Sequence, residues 1–200
     1  MSKPLLEVVD VAIERGFRQL LTGISLTVSP GDLIQLKGAN GVGKTSLLRA
    51  LAGLARVGVE GRIERSVQPV YLGHLPGNKS LLTPEENLRW HPSGGHDIAV
   101  AGISDALSAV GLSHCADLPV HTLSAGQQRR VALARLWLAS SPLWLLDEPF
   151  TAIDVEGADL LEEKLLGHVA AGGAAVFTSH QPNRFGERVA VLDLSEFCGA

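Results

Sequence analysis

The sequence contains the stretch Gly38-Ala39-Asn40-Gly41-Val42-Gly43-Lys44-Thr45, which matches the pattern G-x-x-x-x-G-K-[ST]. In this pattern the backbone N–H groups surround phosphate oxygens, the lysine reaches the β- and γ-phosphates, and the Ser or Thr hydroxyl meets Mg²⁺. An apolar run, residues 33–37, precedes the stretch, and leucines at helical spacing follow it over residues 45–55. The sequence therefore predicts a strand, a loop and a helix whose N-terminus binds nucleotide phosphates. The predicted nucleotide-binding residues are these eight and Ser46.

A pair of carboxylates, Asp147-Glu148, ends a second apolar run at residues 143–146. Such a continuous run is typical of a strand buried on both faces of a parallel sheet, and ligands gather at the carboxyl ends of these strands. We expect Asp147 to hold Mg²⁺ together with Thr45, directly or through water. Glu148 is the expected catalytic base for the attacking water. The alternative is that the pair lies in an exposed turn.

The composition limits the classes of protein that fit. With 200 residues, of which 46% are hydrophobic and 19% charged, the chain suits one compact domain with a sizeable core. A net charge of −4 argues against a nucleic-acid-binding role. Cys115 and Cys198 stand alone, which favours reduced thiols in the cytoplasm. No apolar stretch approaches the roughly 20 residues that cross a bilayer, so work at a membrane would require docking there.

The remaining patterns predict alternating strands and helices. Strand patterns cover residues 5–13, 24–28, 67–72, 174–178 and 188–194. A capping box at Thr83 predicts the start of one helix. Three further helix patterns cover residues 98–110, 128–139 and 155–171. We expect a single α/β domain over residues 1–200. In it, residues 1–73 and 142–200 form the nucleotide-binding core, and residues 74–141 form a mostly helical subdomain.

Two further features have ordinary structural interpretations when each is taken alone. Residues 124–127, Ser-Ala-Gly-Gln, open a helix pattern and are explained by a serine cap. His180 follows a strand pattern, as many structural histidines do. Together with the phosphate loop and Asp147-Glu148, however, their order along the chain resembles that of the ATP-binding cassette (ABC) ATPases.

The resemblance to ABC ATPases implies both a fold and a set of roles. The fold would be a P-loop NTPase (RecA-like) core with a mixed, mostly parallel sheet, a small N-terminal antiparallel β part and the inserted helical subdomain. His180 would hydrogen-bond the γ-phosphate as a second catalytic residue, and residues 151–154 would couple two sites across a homodimer. The signature residues of one chain would contact ATP bound to its partner: Leu123, Ser124, Ala125, Gly126 and Gln127.

Three positions depart from the commoner ABC pattern. Ala125 replaces a glycine, a small change that adds one methyl group. His74 stands where a glutamine usually joins Mg²⁺ to the transmembrane partner, which makes it a candidate metal ligand. The aromatic residue that usually stacks on adenine corresponds to about Arg15, with Phe17 nearby, and either side chain can present a flat face.

Three blocks are similar to one group of ABC proteins, the CcmA haem exporter ATPases: YLGHLPGNK at residues 71–79, LSAGQQRRVALARLWL at 123–138 and PLWLLDEPFTA at 142–152. This resemblance implies an ATP-hydrolysing subunit in c-type cytochrome biogenesis, which couples ATP hydrolysis to haem export or haem-chaperone release. It also implies CcmB-like and CcmC-like permease partners, and a peripheral location on the cytoplasmic face of the inner membrane.

Other classes of nucleotide-binding protein share part of this pattern. Another small ABC transporter would carry the same catalytic motifs, and the Gly-His loop at residues 73–74 is the feature that argues against it. A soluble ABC ATPase of translation or DNA repair would carry two cassettes or a long coiled-coil insert. A P-loop kinase or GTPase would not need the Ser-Ala-Gly-Gln element.

Overall fold

The computed structural model describes residues 3–90, 100–180 and 184–198, which form two compact units. The first unit holds the described residues up to Tyr71, then Ser141–Pro149, and those from Leu165 onward. The second unit holds Leu72–Ser140, within the described ranges, and Phe150–Lys164. The division into functional subdomains given above stays a prediction.

The first unit begins with a three-stranded antiparallel sheet in the order β2-β1-β4. Its strands are β1 (Leu6–Arg15), β2 (Arg18–Val28) and β4 (Val59–Arg65). Gly16 and Phe17 both have positive φ, as in the two-residue turns that join right-twisted hairpin strands. The sequence patterns missed β4 because its residues are mostly exposed and carry few apolar side chains.

A five-stranded sheet with the order β5-β6-β7-β3-β8 forms the centre of the first unit. Its strands are β3 (Leu33–Lys37), β5 (Val70–Leu72), β6 (Leu143–Leu146), β7 (Ala174–Thr178) and β8 (Ala190–Asp193). Strand β3 pairs in parallel with β7 and β8, and β6 pairs in parallel with β7. Every residue of β6 and β7 is buried, as expected for a parallel sheet covered on both faces. The expected mostly parallel sheet and the small N-terminal antiparallel sheet are confirmed.

Helix α1 (Lys44–Leu51) packs against this sheet and ends four residues before the expected end at residue 55. Arg65, from β4, binds the carbonyls at this end, since its Nε donates to Leu51 O at 2.6 Å and its Nη2 donates to Ala50 O. Gly53 then turns the chain with φ of +76°. The first turn of α1 therefore adjoins the phosphate-binding loop, and its last turn is bound by Arg65 of β4.

The second unit contains α2 (Pro84–Arg89), α3 (Val100–Ala109) and α4 (Ala125–Leu138), which enclose a separate apolar core. The capping box of α2 is present, with Thr83 and Glu86 bonding each other's backbone N–H. Helix α4 begins three residues before the expected start at residue 128. Residues 92–95, whose Pro-Ser-Gly-Gly sequence is expected to end the helix that follows Thr83, and the first two residues of the helix expected over 98–110 lie outside the described residues.

Helix α5 (Val155–Ala170) carries the chain from the second unit back to the first. Across the described part of the chain, no helix is both long enough and apolar enough to span a bilayer.

A matched pair of valines tests the position of the core. Val176 in β7 is fully buried, whereas Val57 is 95% exposed. We expect Val176→Ala to lower the unfolding free energy by about 2–3 kcal/mol, because it removes two methyl groups and leaves a cavity. Val57→Ala should change it by less than about 0.5 kcal/mol. Urea denaturation measures both, and equal effects would contradict the described packing.

Candidate nucleotide-binding site

The predicted phosphate loop, residues 38–45, joins β3 to α1 through backbone conformations that suit glycine. Gly38, Gly41 and Gly43 have φ of +140°, +82° and +117°. A Cβ at Gly38 would lie 2.9 Å from Val42 Cγ1, and one at Gly43 would lie 3.0 Å from Leu21 Cδ1. The glycines of the motif therefore meet two requirements, positive φ and close packing.

Lys44 is the first residue of α1 and is buried, with 7% of its surface exposed. Its Nζ donates to Gly38 O at 2.8 Å and to Ala39 O at 3.1 Å, so its charge lies over the loop. Thr45 is exposed and Ser46 half-buried in the first helical turn, where backbone N–H groups lack helical partners. A lysine charge and a helix N-terminus together favour an anion.

Asp147 and Glu148 follow β6 at the carboxyl edge of the parallel sheet, next to the end of β7. The Thr178 hydroxyl, at the end of β7, donates to Asp147 Oδ1 at 2.9 Å and accepts from the Glu148 backbone N–H at 2.8 Å. Glu148 has φ of +51°, an uncommon value for a residue with a side chain. One hydroxyl therefore fixes both the first carboxylate and the turn that carries the second.

Sequence reasoning missed Thr178. The sequence feature that could have identified it is that Thr178 is the one polar residue of the otherwise apolar strand β7 and stands at its end.

The two predicted catalytic residues lie together in the first unit. His180 Nε2 is 3.2 Å from Glu148 Oε1. The Glu148 side chain is 12% exposed, whereas that of His180 is 51% exposed. The pair thus joins a shielded carboxylate to an imidazole that solvent or a ligand can reach. This arrangement suits a base that activates water beside a group that hydrogen-bonds a developing charge.

Tyr71 lies on the same sheet, in β5, where the charge of Asp147 affects the pKa of its phenol. Burial, followed by the negative charge of Asp147, raises the pKa of its phenol to about 12, and the positive charge of Arg49 works in the opposite direction. The phenol therefore stays neutral beside the Asp147 carboxylate at any physiological pH.

The predicted signature residues open α4 in the second unit. Ser124 and Gln127 form a capping box, in which Ser124 Oγ accepts from Gln127 N at 3.2 Å and Gln127 Oε1 accepts from Ser124 N at 2.9 Å. Leu123 is buried in the core of this unit, while Ser124 and Ala125 are exposed. Ser124 therefore caps α4, as its ordinary structural interpretation requires, and it is also exposed, as contact with a ligand requires.

The three departures from the ABC pattern lie at exposed positions. Arg15 and Phe17 are exposed at the end of the β1–β2 hairpin, and Phe17 has no contact that shields it, with 101% relative exposure. His74 is exposed, and its carbonyl accepts from Arg129 Nη1 at 3.1 Å. The adenine-stacking role of Arg15 or Phe17 and the metal-binding role of His74 stay predictions.

Comparison with known proteins identifies the class. The sequence profile of the ABC transporter family matches residues 21–151. An ABC transporter ATP-binding protein from Pyrococcus furiosus has the same fold, with a TM-score of 0.82, 22% identity, and coverage of 97% of this chain and 99% of that one. A solved ABC transporter ATP-binding subunit superposes with a TM-score of 0.81 at 22% identity over 95% of this chain and 88% of the other. Fold and sequence together define an ABC-type ATPase.

Two curated relatives show to which family of ABC transporter ATP-binding proteins the chain belongs. "Cytochrome c biogenesis ATP-binding export protein CcmA" of Pseudomonas fluorescens (strain Pf0-1) is 47% identical over 192 residues, covering 90% of each chain. The protein of the same name in Pseudomonas syringae pv. syringae (strain B728a) is 45% identical over 213 residues, covering 98% of each. The chain belongs to the CcmA family of ABC transporter ATP-binding proteins.

Tyr71 gives a direct test of the charge arrangement at this sheet edge, since it is the single tyrosine of the sequence. Its pKa of about 12 predicts little tyrosinate in the folded chain at about pH 11, whereas the urea-unfolded chain should be half ionised near about pH 10. Because the folded pKa is the higher one, the unfolding free energy should fall as pH rises from about 10 towards about 12. Tyrosinate absorbance, followed together with circular dichroism, measures both effects.

The control for this titration is Asp147→Asn. Removing the negative charge should lower the pKa of Tyr71. A folded wild-type chain that ionises at the same pH as the unfolded chain would contradict the arrangement, as would an Asp147→Asn variant with an unchanged titration curve.

Proposed function

We propose that this ABC-type ATPase works in c-type cytochrome biogenesis, where it couples ATP hydrolysis to haem export or to release of a haem chaperone. The observation that carries the proposal is the 47% identity, over 90% of the chain, to a protein named for cytochrome c biogenesis export. The catalytic residues proposed below all lie on the described chain, so the chain has the groups that such a subunit needs.

The phosphates of ATP bind at residues 38–46. The backbone N–H groups of the loop and of the first turn of α1 donate to phosphate oxygens. Lys44 exchanges its present carbonyl partners, Gly38 and Ala39, for phosphate oxygens, which accept a stronger, charge-assisted hydrogen bond.

Mg²⁺ fits the oxygen donors that the first unit offers. Thr45 supplies a hydroxyl and Asp147 a carboxylate, and magnesium favours few protein oxygens together with water and substrate phosphates. The described residues contain no group of three or more His, Cys, Asp or Glu side chains that could hold a metal ion. When bound, the ion would neutralise charge on the phosphates.

Glu148 is the proposed general base, and it accepts a proton from the attacking water. His180, 3.2 Å away, orients this carboxylate and hydrogen-bonds the γ-phosphate. The Thr178 bond to the Glu148 N–H holds the base in place, so little rearrangement is needed before the chemical step.

The second half of each site comes from another copy of the chain. Ser124 and the helix start behind it supply a hydroxyl and backbone N–H groups, which suit the γ-phosphate of a nucleotide held by residues 38–46 of a partner. The exposure of Ser124 and Ala125 supports this role. We therefore propose a homodimer that encloses two nucleotides and reopens after hydrolysis.

As an ABC transporter subunit, the chain works with membrane permease subunits, and we propose CcmB-like and CcmC-like proteins for this role. Support for this pathway comes from a protein of Salmonella choleraesuis (strain SC-B67) named as a bifunctional cytochrome c-type biogenesis protein, CcmAE. This chain matches 55% of it at 47% identity. The proposed location is the cytoplasmic face of the inner membrane, where the chain binds peripherally.

Glu148→Gln tests the catalytic part of the proposal. The variant should bind ATP as the wild type does, while its turnover falls by about 10²–10⁴-fold, because only the base is lost. Glu60→Gln makes the same chemical change at an exposed strand position and should keep the wild-type rate. Equal turnover in the two variants would remove Glu148 from the mechanism.

The same variant, trapped with ATP and purified from membranes, tests the pathway. Recovery of CcmB-like and CcmC-like proteins, identified by mass spectrometry, would support cytochrome c biogenesis. Recovery of an unrelated permease would leave the ATPase mechanism in place and overturn the pathway.

A further inference from the structure

Arg130 lies on the signature helix α4, six residues after Ser124, and its side chain is only 15% exposed. Its Nη1 donates to Val110 O at 3.1 Å, just beyond the end of α3. Its Nη2 donates to Asp154 Oδ1 at 2.5 Å, and Glu156 Oε2 is a more distant and exposed neighbour at 3.8 Å. One guanidinium therefore joins α3, α4 and the loop of residues 151–154, all within the second unit.

Two glycines leave room for this guanidinium. A Cβ at Gly111 would lie 3.1 Å from Arg130 Nη1. A Cβ at Gly157 would lie 2.9 Å from Asp154 Oδ1 and 3.4 Å from Arg130 Nε. Side chains at either position would crowd the ion pair, so the backbone on both sides of Arg130 is shaped around it.

Asp154 also serves the start of α5. Its Oδ1 accepts from Gly157 N at 3.0 Å, as an N-cap carboxylate does. The hydrogen bond from Arg130, followed by that from Gly157, lowers the pKa of Asp154, which keeps the carboxylate charged. The 151–154 loop is thus fixed at its end by one carboxylate with two partners.

The loop held by Arg130 lies against the signature residues. A Cβ at Gly126 would be 3.5 Å from Ala152 O, so the signature backbone and the loop are in near contact. Beside them is a cavity of about 290 Å³ that Ser124, Gln127, Arg130 and Asp154 line, together with Gly111 and His114. The signature residues and the 151–154 loop therefore share one surface, and Arg130 is the side chain that ties them together.

We propose that Arg130 is a positioning residue for ATP hydrolysis, which holds the 151–154 loop and the signature residues as one surface against the nucleotide of the partner chain. This inference rests on the homodimer of the proposed function. Arg130 does not contact the reacting atoms; it acts through Asp154 and through the start of α4.

The test uses Arg130→Ala, Asp154→Ser and the double variant of the purified chain. Serine keeps the cap on α5 but removes the carboxylate that binds Arg130. Each single variant should lower kcat by about 10- to 100-fold, as small misplacements of positioning groups do. The double variant should be no slower than the slower single variant, because both changes break one contact.

Two further readouts distinguish positioning from a merely structural role. Binding of a fluorescent ATP analogue to residues 38–46 should be unchanged, and circular dichroism should show that Asp154→Ser is fully folded at the assay temperature. Arg130→Lys should give an intermediate kcat, since lysine keeps the charge but not the two-pronged geometry that reaches Val110 and Asp154 together. The control, Glu156→Gln, alters the distant neighbour of Arg130 and should keep the wild-type kcat.

The outcomes separate this inference from the proposed function. A wild-type chain that does not hydrolyse ATP, or whose specific rate does not rise with protein concentration, overturns both. An active wild type overturns this inference alone if either single variant keeps the wild-type kcat. The inference about Arg130 is also overturned if the kcat of the double variant falls by the product of the fold-losses of the two single variants.

Discussion

The bond network of the Thr178 hydroxyl is the interaction on which the candidate site depends. Parallel pairing of β6 with β7 sets Leu146 opposite Phe177, so the next residues, Asp147 and Thr178, meet at the carboxyl edge of the sheet. Because Thr178 also accepts from the Glu148 N–H, one side chain holds the Asp147 carboxylate and the backbone turn that carries Glu148. Strand β3 pairs with β7 on its other side, which brings the phosphate loop to the same edge.

The second unit is organised by arginines of α4 that bind backbone carbonyls. Arg129 Nη1 donates to Gly73 O and His74 O, and Arg135 Nη1 donates to Pro76 O at 2.8 Å. Burial, and then the charge of Arg129, lowers the pKa of Arg135 to about 10. The cost of burying these cations is offset by the carbonyls, and the same hydrogen bonds tie the loop of residues 73–78 to the signature helix.

The sequence predicts those parts of the structure that local patterns determine. The phosphate loop, the apolar strand of residues 143–146 and the capping box at Thr83 could each be read from a few neighbouring residues. The end of α1 had one local signal, Gly53, whereas the side chain that binds its last carbonyls, Arg65, lies 14 residues away and could not be read from a local pattern. Likewise Thr178 and Arg130 take their roles from partners that are distant in sequence, and β4 is held by pairing with β1 rather than by its own pattern.

The most direct test of this account is ATP turnover by Thr178→Val compared with Thr178→Ser. Valine has nearly the same shape but lacks the hydroxyl, which leaves the Glu148 N–H without its acceptor and Asp147 without one donor. We expect Thr178→Val to bind ATP but to turn over at least about 10-fold more slowly, and Thr178→Ser to stay near the wild-type rate. Wild-type turnover by Thr178→Val would contradict this account.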